Sequence, residues 1–385
     1  MLNFDFYNPT HIVFGKDRMS ELDSLVPKNS NILITYGGGS VNKFGTLDKV
    51  LANLPDRKIF QFGGIEPNPQ YLTLMKAVEI VKNEDIDFIL AVGGGSVMDG
   101  SKFIALASCY SGNALNLLNP DSPLAPVDCA IPMGTIVTLP ATGSEMNNGA
   151  VISHNETKVP IFSIHTFPKF SILDPTLTFT LPKTQVANGI IDTFIHTVEQ
   201  YVTYPVNAGF QDRTAEGILQ TLIEVSDTTL NNPEDYDARA NLVWCSTMAL
   251  NGLIGSGVPQ DWTTHMIGHE ITALFGIDHA KTLAILQPAI WKVRKEKKKA
   301  KLLQYAARVW NITDGTDDEK IDLAIKTTSD FFESLGVSTK LSAYGLNEKN
   351  IDSIIASLAK NNRTALSETK DLTLDICREI LIKAL

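Results

Sequence analysis

Two apolar runs in the first half of the chain each end in the same four residues, Gly-Gly-Gly-Ser. Asn31 to Tyr36 is followed by Gly37 to Ser40, and Phe88 to Val92 is followed by Gly93 to Ser96. Short runs of apolar and β-branched residues that end in glycine are typical of buried strands. A helical pattern from Gln70 to Asn83 lies between the two runs. This order of strand, glycine turn and helix predicts an α/β fold with a mostly parallel sheet.

Two further strands are predicted before the hydrophobic pattern changes, within Ala130 to Leu139 and at Ser171 to Leu173. After Leu181, apolar residues recur at three- and four-residue steps, which is the period of an α-helix. No comparable strand run follows in the sequence. We therefore predict an α/β domain over residues 1–180 and an all-α domain over residues 181–385. Helices of the second domain are expected near residues 213–225, 238–253, 263–274, 321–335 and 351–358.

Four of the seven histidines and one aspartate lie in two patches of the second half. Asp192 and His196 are four residues apart, as are His265 and His269, and residues at this spacing share one face of a helix. His279 follows a glycine that can end the second helix and let the chain fold back. Imidazole nitrogens with one carboxylate suit Zn²⁺ or Fe²⁺ and suit Mg²⁺ or Ca²⁺ poorly. Any one of these histidines alone is equally compatible with a surface or core position, but together they predict a metal site.

The segment from Gly93 to Asp99 predicts a phosphate-binding junction between a strand and a helix. Glycine lets the backbone approach an anion closely, and the helix that follows presents free N–H groups. We expect Ser96 to cap this helix, with Asp99 at its third position. The segment lacks the Gly-x-Gly-x-x-Gly spacing of the dinucleotide fingerprint, so a tight turn without a ligand remains the alternative.

The first glycine turn bears on the choice of dinucleotide. In dinucleotide-binding folds the first strand ends beside the adenosine ribose, where NAD-selective proteins place Asp or Glu. No carboxylate occurs between Tyr36 and Phe44, whereas Ser40 and Lys43 are available to a phosphate. This composition favours NADP(H) over NAD(H).

Charge and hydropathy exclude two classes of function. The 385 residues carry a net charge of −10, which argues against the electrostatic footprint of a nucleic-acid-binding protein. The one basic run, Arg294 to Lys301, is interpreted as the solvated face of a helix. No segment reaches the ~18 uninterrupted apolar residues of a membrane helix, and the N-terminus has no basic region followed by an apolar one. We expect a cytoplasmic protein that binds neither nucleic acid nor membrane.

The four cysteines are widely spaced and form no Cys-x-x-Cys pair. Each lies in an apolar or helical context, which predicts buried free thiols. They are Cys109, Cys129, Cys245 and Cys377.

The motifs of this chain resemble those of the iron-containing (group III) alcohol dehydrogenases nearly from end to end. The resemblance is strongest to the branch of NADPH-dependent aldehyde reductases and butanol dehydrogenases. It implies a dinucleotide-binding α/β domain followed by a helical metal-binding domain. It also suggests a homodimer joined through Leu2 to Phe14, whose alternating apolar residues could form an edge strand. The motifs that carry the resemblance are GGGSVMD at 93–99, LPATGSE at 139–145, DTFIHTVE at 192–199 and HMIGHEITALFGIDH at 265–279.

The resemblance also implies the residues of the site. The metal ligands implied are Asp192, His196, His265 and His279, with Fe²⁺ or Zn²⁺ as the ion. His269 matches a histidine near the nicotinamide that is not usually a ligand. Ala280 follows the last ligand where many members have glycine, a small change that keeps the ligand itself. The cofactor contacts implied are Gly37, Gly38, Ser40, Gly94, Gly95, Ser96, Asp99, Thr138, Thr142, Ser144 and Lys158.

The expected reaction is hydride transfer between NADP(H) and an aldehyde or primary alcohol. The metal acts as a Lewis acid on the substrate oxygen, and His269, directly or through water, is the candidate proton donor. Trp262, Phe275, Asn147 and Leu253 are equally compatible with lining a substrate pocket and with core packing.

Three alternative functions fit the sequence less well than this reaction. A lyase similar to dehydroquinate synthase would need several basic residues beside the ligands, where only Lys281 occurs. A polyol dehydrogenase of the glycerol type would need polar neighbours, but Ile, Phe, Met and Leu flank the ligand motifs. A non-catalytic metal or nucleotide sensor would have no need to keep both the full ligand set and the glycine turns.

Overall fold

The computed structural model describes residues 1–119, 122 and 124–385. The strands are β1 His11–Phe14, β2 Asn31–Tyr36, β3 Lys58–Phe62, β4 Phe88–Gly93, β5 Met133–Val137, β6 Gly149–His154, β7 Thr157–Phe162 and β8 Phe170–Leu173. The helices are α1 Leu22–Leu25, α2 Ser40–Lys43, α3 Thr46–Ala52, α4 Tyr71–Asn83, α5 Gly95–Cys109, α6 Lys183–Tyr201, α7 Gly209–Asn231, α8 Tyr236–Ala249, α9 Thr263–Phe275, α10 His279–Val293, α11 Lys295–Val309, α12 Asp317–Ser334, α13 Glu348–Lys360 and α14 Leu374–Lys383.

Six of the described strands form one parallel sheet in the order β1-β8-β5-β4-β2-β3. Every residue of the central strand β4 is buried, because apolar layers cover both faces of the sheet. Leu33 and Ile89 belong to the layer that includes Leu74 of α4, whereas Ile34 and Leu90 belong to the layer on the opposite face. The predicted α/β fold with a mostly parallel sheet is therefore confirmed.

The sequence patterns did not predict the edge strand β3 or the β6–β7 hairpin. Strand β3 is only partly buried, so its apolar signal is weak. Strands β6 and β7 pair antiparallel outside the main sheet. Of the expected edge strand over Leu2 to Phe14, only His11–Phe14 is a strand, and it pairs in parallel with β8. Near the N-terminus, the Leu2 amide instead donates to the Gly257 carbonyl at 2.9 Å.

The predicted change to helical structure after residue 181 is confirmed, since all the named strands of the described chain end by Leu173. The five expected helices correspond to α7, α8, α9, α12 and α13. Most of these helices are longer than predicted. Their capping residues and polar turns lack the regularly spaced apolar residues on which the prediction was based. A capping box at Thr316 and Glu319, for example, begins α12 four residues before its first apolar residue, Ile321. No helix in the described ranges is both long and apolar enough to cross a membrane.

The chain divides into two compact units. The α/β unit comprises residues 7–181 and 233–247. The helical unit comprises residues 1–6, 182–232 and 248–385. Two segments depart from a single boundary near residue 180. Residues 1–6 belong to the helical unit, and residues 233–247 belong to the α/β unit.

The basic run Arg294 to Lys301 is solvated only in part, so its interpretation as a solvated helix face was wrong for the buried residues. Lys298 is only 2% exposed, and its ammonium lies 2.8 Å from carboxylate oxygens of both Asp261 and Glu368. Lys301 is 4% exposed and pairs with an aspartate of α7 at 2.6 Å. The partners lie far away in sequence, which is why the run's own spacing could not reveal them.

The prediction of buried free thiols holds for two of the four cysteines. Cys245 and Cys377 are buried, whereas Cys109 is partly buried and Cys129 is exposed. Cys129 lies in the loop before β5, where apolar neighbours in sequence do not imply a packed environment.

Candidate metal and cofactor sites

Asp192 and His196 lie one turn apart on α6, and both side chains are almost fully buried. The helix places them on one face, as the four-residue spacing predicts. His196 Nε2 lies 3.7 Å from Asp192 Oδ1.

His265 and His279 approach the same aspartate from two other helices. His265 lies in the first turn of α9, and its Nε2 is 3.7 Å from Asp192 Oδ1. Gly276 ends α9 in the left-handed conformation, with φ of 67°, so the chain reverses without a Cβ penalty. His279 is then the first residue of α10, and its Nε2 is 3.8 Å from Asp192 Oδ1.

One carboxylate oxygen is therefore nearly equidistant from three imidazole nitrogens. Four ligands around an ion at about 2.0–2.2 Å are separated by roughly 3.3–3.6 Å in a tetrahedron. The observed 3.7, 3.7 and 3.8 Å are close to this edge length. Asp192, His265 and His279 also offer ligand atoms that all lie within 4.8 Å of one another. The distances suit one small ion with His196 as the fourth donor.

Two buried atoms of this cluster lack a hydrogen-bond partner in the described structure, Asp192 Oδ1 and His265 Nε2. Leaving a buried polar atom unsatisfied costs about 1–3 kcal/mol, and more if the group is charged. A cation between the two atoms would satisfy both. Three nitrogens and one oxygen form a donor set that fits Zn²⁺ or Fe²⁺.

The carboxylates and histidines of the cluster stabilise each other's charged forms. Burial alone would raise the pKa of Asp192, but the facing histidines outweigh it and hold that pKa below its usual range. Burial alone would lower the pKa of His265, but the charges of Glu199 and Asp192 raise it to about 9. Metal binding at His265 would therefore have to displace a proton.

His269 lies one turn after His265 on α9 and is also buried. Its ring centroid is 5.2 Å from that of His279 and 6.1 Å from that of His265. Among the described residues, the metal-holding group of Asp192, His265 and His279 does not include it. His269 lies beside the donors, and its role near the nicotinamide stays a prediction.

Glu199 and Trp262 also contact the cluster, although sequence reasoning gave neither a definite role. Glu199 is hydrogen-bonded to His265 Nδ1. The Trp262 ring lies edge-on to His265, with centroids 5.4 Å apart. The signal for Glu199 was present in the sequence, because it follows Asp192 by seven residues and so shares the helix face of that ligand.

The second glycine turn lies at the carboxyl ends of β4 and β5, the edge where parallel α/β sheets bind ligands. Gly94 is the N-cap of α5, and the helix begins at Gly95. The expectation that Ser96 caps this helix was wrong, because the chain turns two residues earlier. A Cβ at Gly95 would collide with Thr142, so glycine is required by close approach. The Thr138 amide donates to the Gly93 carbonyl at 3.0 Å, which places Thr138 at the same edge.

Asp99 and Ser144 are bonded to each other within this edge. Ser144 Oγ donates to Asp99 Oδ1 at 2.6 Å, and the Val151 amide donates to Asp99 Oδ2 at 2.9 Å. The buried ammonium of Lys102 donates to Ser144 Oγ at 2.9 Å. These bonds tie α5 to the 139–149 loop and to β6. Their predicted contact with a cofactor remains a prediction.

The first glycine turn lies beside the second. A Cβ at Gly37 would lie 3.6 Å from the Val97 side chain of α5. Gly38 faces open space, and Gly39, with φ of 102°, caps α2, which begins at Ser40. On β7, Lys158 Nζ donates to Asn68 Oδ1 at 2.9 Å. The proposed cofactor residues therefore all belong to the α/β unit.

Comparison with known proteins places both halves of the chain in one family. The model "Iron-containing alcohol dehydrogenase" matches residues 9–175, and the model "Fe-containing alcohol dehydrogenase family, C-terminal" matches residues 186–385. The chain belongs to the iron-containing alcohol dehydrogenase family. The resemblance inferred from the motifs is therefore confirmed.

Relatives in this family match the chain over nearly its full length. It is 55% identical to the NADPH-dependent aldehyde reductase YqhD of Escherichia coli K12, over 99% of both chains. It is 37% identical to NADH-dependent butanol dehydrogenase A of Clostridium acetobutylicum, over 100% of both. The solved structure of E. coli YqhD superposes with a TM-score of 0.98 at 54% identity, covering 100% of this chain and 99% of that one. NADH-dependent butanol dehydrogenase A of Thermotoga maritima gives a TM-score of 0.94 at 32% identity, with the same coverage.

Proposed function

We propose that this protein is a metal-dependent oxidoreductase that transfers hydride between NADP(H) and an aldehyde or primary alcohol. The observation that carries the proposal is the cluster of three imidazole nitrogens within 3.8 Å of one oxygen of Asp192. The cluster lies in a chain that is 55% identical to an NADPH-dependent aldehyde reductase.

Asp192, His196, His265 and His279 would hold the ion. When bound, Zn²⁺ or Fe²⁺ supplies a Lewis acid that offsets the negative charge developing on the carbonyl oxygen during reduction. Burial of Asp192, His196 and His265 limits the access of water to the donors, which strengthens their electrostatic effect. The imidazole of His269, directly or through a water, supplies the proton that the product oxygen needs, because histidine titrates near working pH.

NADP(H) would bind at the carboxyl edge of the parallel sheet. The glycine turns let the backbone approach the phosphates, and the N-terminus of α5 favours the pyrophosphate. The stretch from Gly37 to Lys43 has no carboxylate to repel a 2′-phosphate. The contacts proposed are Gly37, Gly38, Ser40, Gly94, Gly95, Ser96, Asp99, Thr138, Thr142, Ser144 and Lys158.

The lyase alternative has one basic residue close to the ligand motifs in sequence. This residue, Lys281, forms an ion pair with Asp278 at 2.6 Å. A single lysine falls short of the several basic groups that a phosphorylated sugar acid would need.

We also propose that the protein is a cytoplasmic homodimer. Leu2, Phe4, Phe6 and Tyr7 expose 47–65% of their surface, and a second copy could bury this apolar segment.

A panel of aldehydes and alcohols assayed with NADPH and NADH tests the proposed activity, on protein whose metal content has been measured. We expect oxidation of NADPH with short to medium aldehydes and a lower kcat/KM with NADH. If the metal-replete protein oxidises NADPH with none of the aldehydes and reduces NADP⁺ with none of the alcohols, the proposal fails.

A further inference from the structure

Glu199 is a buried carboxylate whose two oxygens contact different parts of α9. It lies on α6 and is 3% exposed. Its Oε2 is hydrogen-bonded to the ring nitrogen Nδ1 of His265. Its Oε1 accepts from the backbone N–H of Thr264 at 2.6 Å. One side chain therefore fixes both the start of α9 and the ring of a proposed ligand.

The bond to Nδ1 determines which nitrogen of His265 is free to bind a metal. When Glu199 is ionised, its carboxylate can only accept a hydrogen bond, so Nδ1 carries the hydrogen. In the neutral ring the lone pair is then on Nε2, the atom that lies 3.7 Å from Asp192 Oδ1. We propose that Glu199 is a positioning residue that holds His265 in the Nδ1–H tautomer and so sets the affinity of the metal site. This inference rests on the proposed function, since it assumes that His265 is a ligand.

Glu199 is itself held in place by its surroundings. Thr263 and Thr264 are the first residues of α9, where backbone N–H groups lack helical partners and favour an anion. The Asp261 amide donates to the Glu199 carbonyl at 2.8 Å. The Asp261 carboxylate in turn pairs with the buried ammonium of Lys298 at 2.8 Å. The carboxylate of Glu199 therefore meets His265 from a fixed direction.

Glu270 provides a matched control on the same helix as His265. It is 2% exposed, so its burial is close to that of Glu199. Its carboxylate accepts from Ser357 and Asn361 and pairs with Arg363 at 2.8 Å. These partners join α9 to α13 and the residues after it, and none is a proposed metal ligand. Changing Glu270 therefore tests the effect of losing a buried carboxylate without changing the ring of His265.

The decisive substitution is Glu199→Gln, which keeps the shape and removes the charge. The amide group can face His265 Nδ1, which drives the ring hydrogen to Nε2 and blocks metal binding. It can instead face the Thr264 N–H, which brings two hydrogen-bond donors together with no acceptor between them. Loss of a hydrogen bond behind a metal-binding histidine lowers metal affinity by about 10–100-fold. We expect a loss of this size for Zn²⁺ in chelator competition, and an altered visible absorption spectrum after loading with Co²⁺. Glu270→Gln should lose thermal stability but keep both the wild-type Zn²⁺ affinity and the Co²⁺ spectrum.

A second measurement needs no substitution at Glu199. In Zn²⁺-loaded wild-type protein labelled with ¹⁵N-histidine, we expect NMR to show the His265 ring with its hydrogen on Nδ1. Observation of a ring with its hydrogen on Nε2 would overturn the proposal, whether or not Glu199→Gln folds. Wild-type Zn²⁺ affinity in a folded Glu199→Gln protein would also overturn it. If His265→Ala keeps wild-type Zn²⁺ affinity, the metal site itself is misassigned and the proposed function fails first.

Discussion

At the scale of single residues, His265 and His269 make a direct comparison. Both are buried on α9, but only His265 lies 3.7 Å from Asp192 Oδ1. His265→Ala removes one donor, so metal content should fall and turnover should decrease more than about 100-fold. His269→Ala should keep the metal and slow turnover by roughly 100-fold, because it removes the proposed proton donor. Elemental analysis of both variants decides the assignment, and equal metal loss in the two would make His269 a ligand.

Gly38 is the residue at which the preference for NADP(H) can be tested. Gly39 is unsuitable, because its φ of 102° would strain any side chain, whereas Gly38 faces open space. Gly38→Asp places a carboxylate beside the proposed ribose site and should repel a 2′-phosphate. A partly exposed charge clash costs on the order of 1–3 kcal/mol, or about 10–100-fold in the NADPH/NADH ratio of kcat/KM. Gly38→Asn is the neutral control, and an unchanged ratio in folded Gly38→Asp would place the 2′-phosphate elsewhere.

Residue spacing predicted part of the cluster of Asp192 and histidines, but it did not predict the hydrogen bond between Glu199 and His265. The four-residue spacing of Asp192 and His196 identified a shared helix face, and the glycine before His279 indicated that the chain could fold back. The spacing could not show that Glu199 meets His265, since that contact joins residues 66 apart on two helices. Family resemblance, not spacing, predicted His265 as a ligand in place of His269. Both histidines lie on one face of α9, so the spacing does not show which of them is closer to Asp192.

At the scale of secondary-structure elements, Lys102 joins α5 to the loop after β5. It is fully buried and donates to Ser144, Asn147 and the Gly149 carbonyl at 2.8–2.9 Å. Lys102→Met would remove one donor from each of these acceptors. It would also remove the positive charge near Asp99. We expect the free energy of unfolding to fall by about 3 kcal/mol at neutral pH, measured by chemical denaturation.

The same lysine predicts a dependence of stability on pH. Burial lowers the pKa of Lys102 to about 8, although Asp99 and Glu145 oppose this. Between pH 8 and the unfolded value of about 10.4 the unfolded chain binds the proton that the folded chain has released. Stability that depends on Lys102 therefore rises with pH in this window, as the penalty for burying its charge is relieved. The stability difference between wild type and Lys102→Met should increase from pH 8 to pH 10, and a constant or falling difference would contradict the lowered pKa.

The elements themselves were predicted where burial was complete. Strands β2 and β4 are buried on both faces, and their apolar runs gave their positions almost to the residue. Strand β3 lies at the edge of the sheet and the β6–β7 hairpin lies outside it, so neither needs a continuous apolar run. The helix start at Gly95 was missed because it depends on the close approach of Thr142, a contact 47 residues away.

At the scale of the whole molecule, the fold does not distinguish the two nicotinamide cofactors. YqhD of E. coli, an NADPH-dependent reductase, superposes on this chain with a TM-score of 0.98. The NADH-dependent butanol dehydrogenase A of T. maritima superposes with 0.94. Backbones this similar carry different cofactor preferences, so the preference must depend on side chains near the cofactor. This is why the sequence of the first glycine turn is more informative about the cofactor than the architecture is.

The most direct test of a metal-dependent oxidoreductase is the NADPH oxidation rate with an aldehyde before and after metal removal. The four proposed donors predict that chelator-stripped protein loses at least about 100-fold in kcat and recovers it with one equivalent of Zn²⁺ or Fe²⁺ per chain. Circular dichroism of the stripped protein checks that it remains folded. Full activity in folded, metal-free protein would contradict the central claim, as would recovery that does not saturate at one ion per chain.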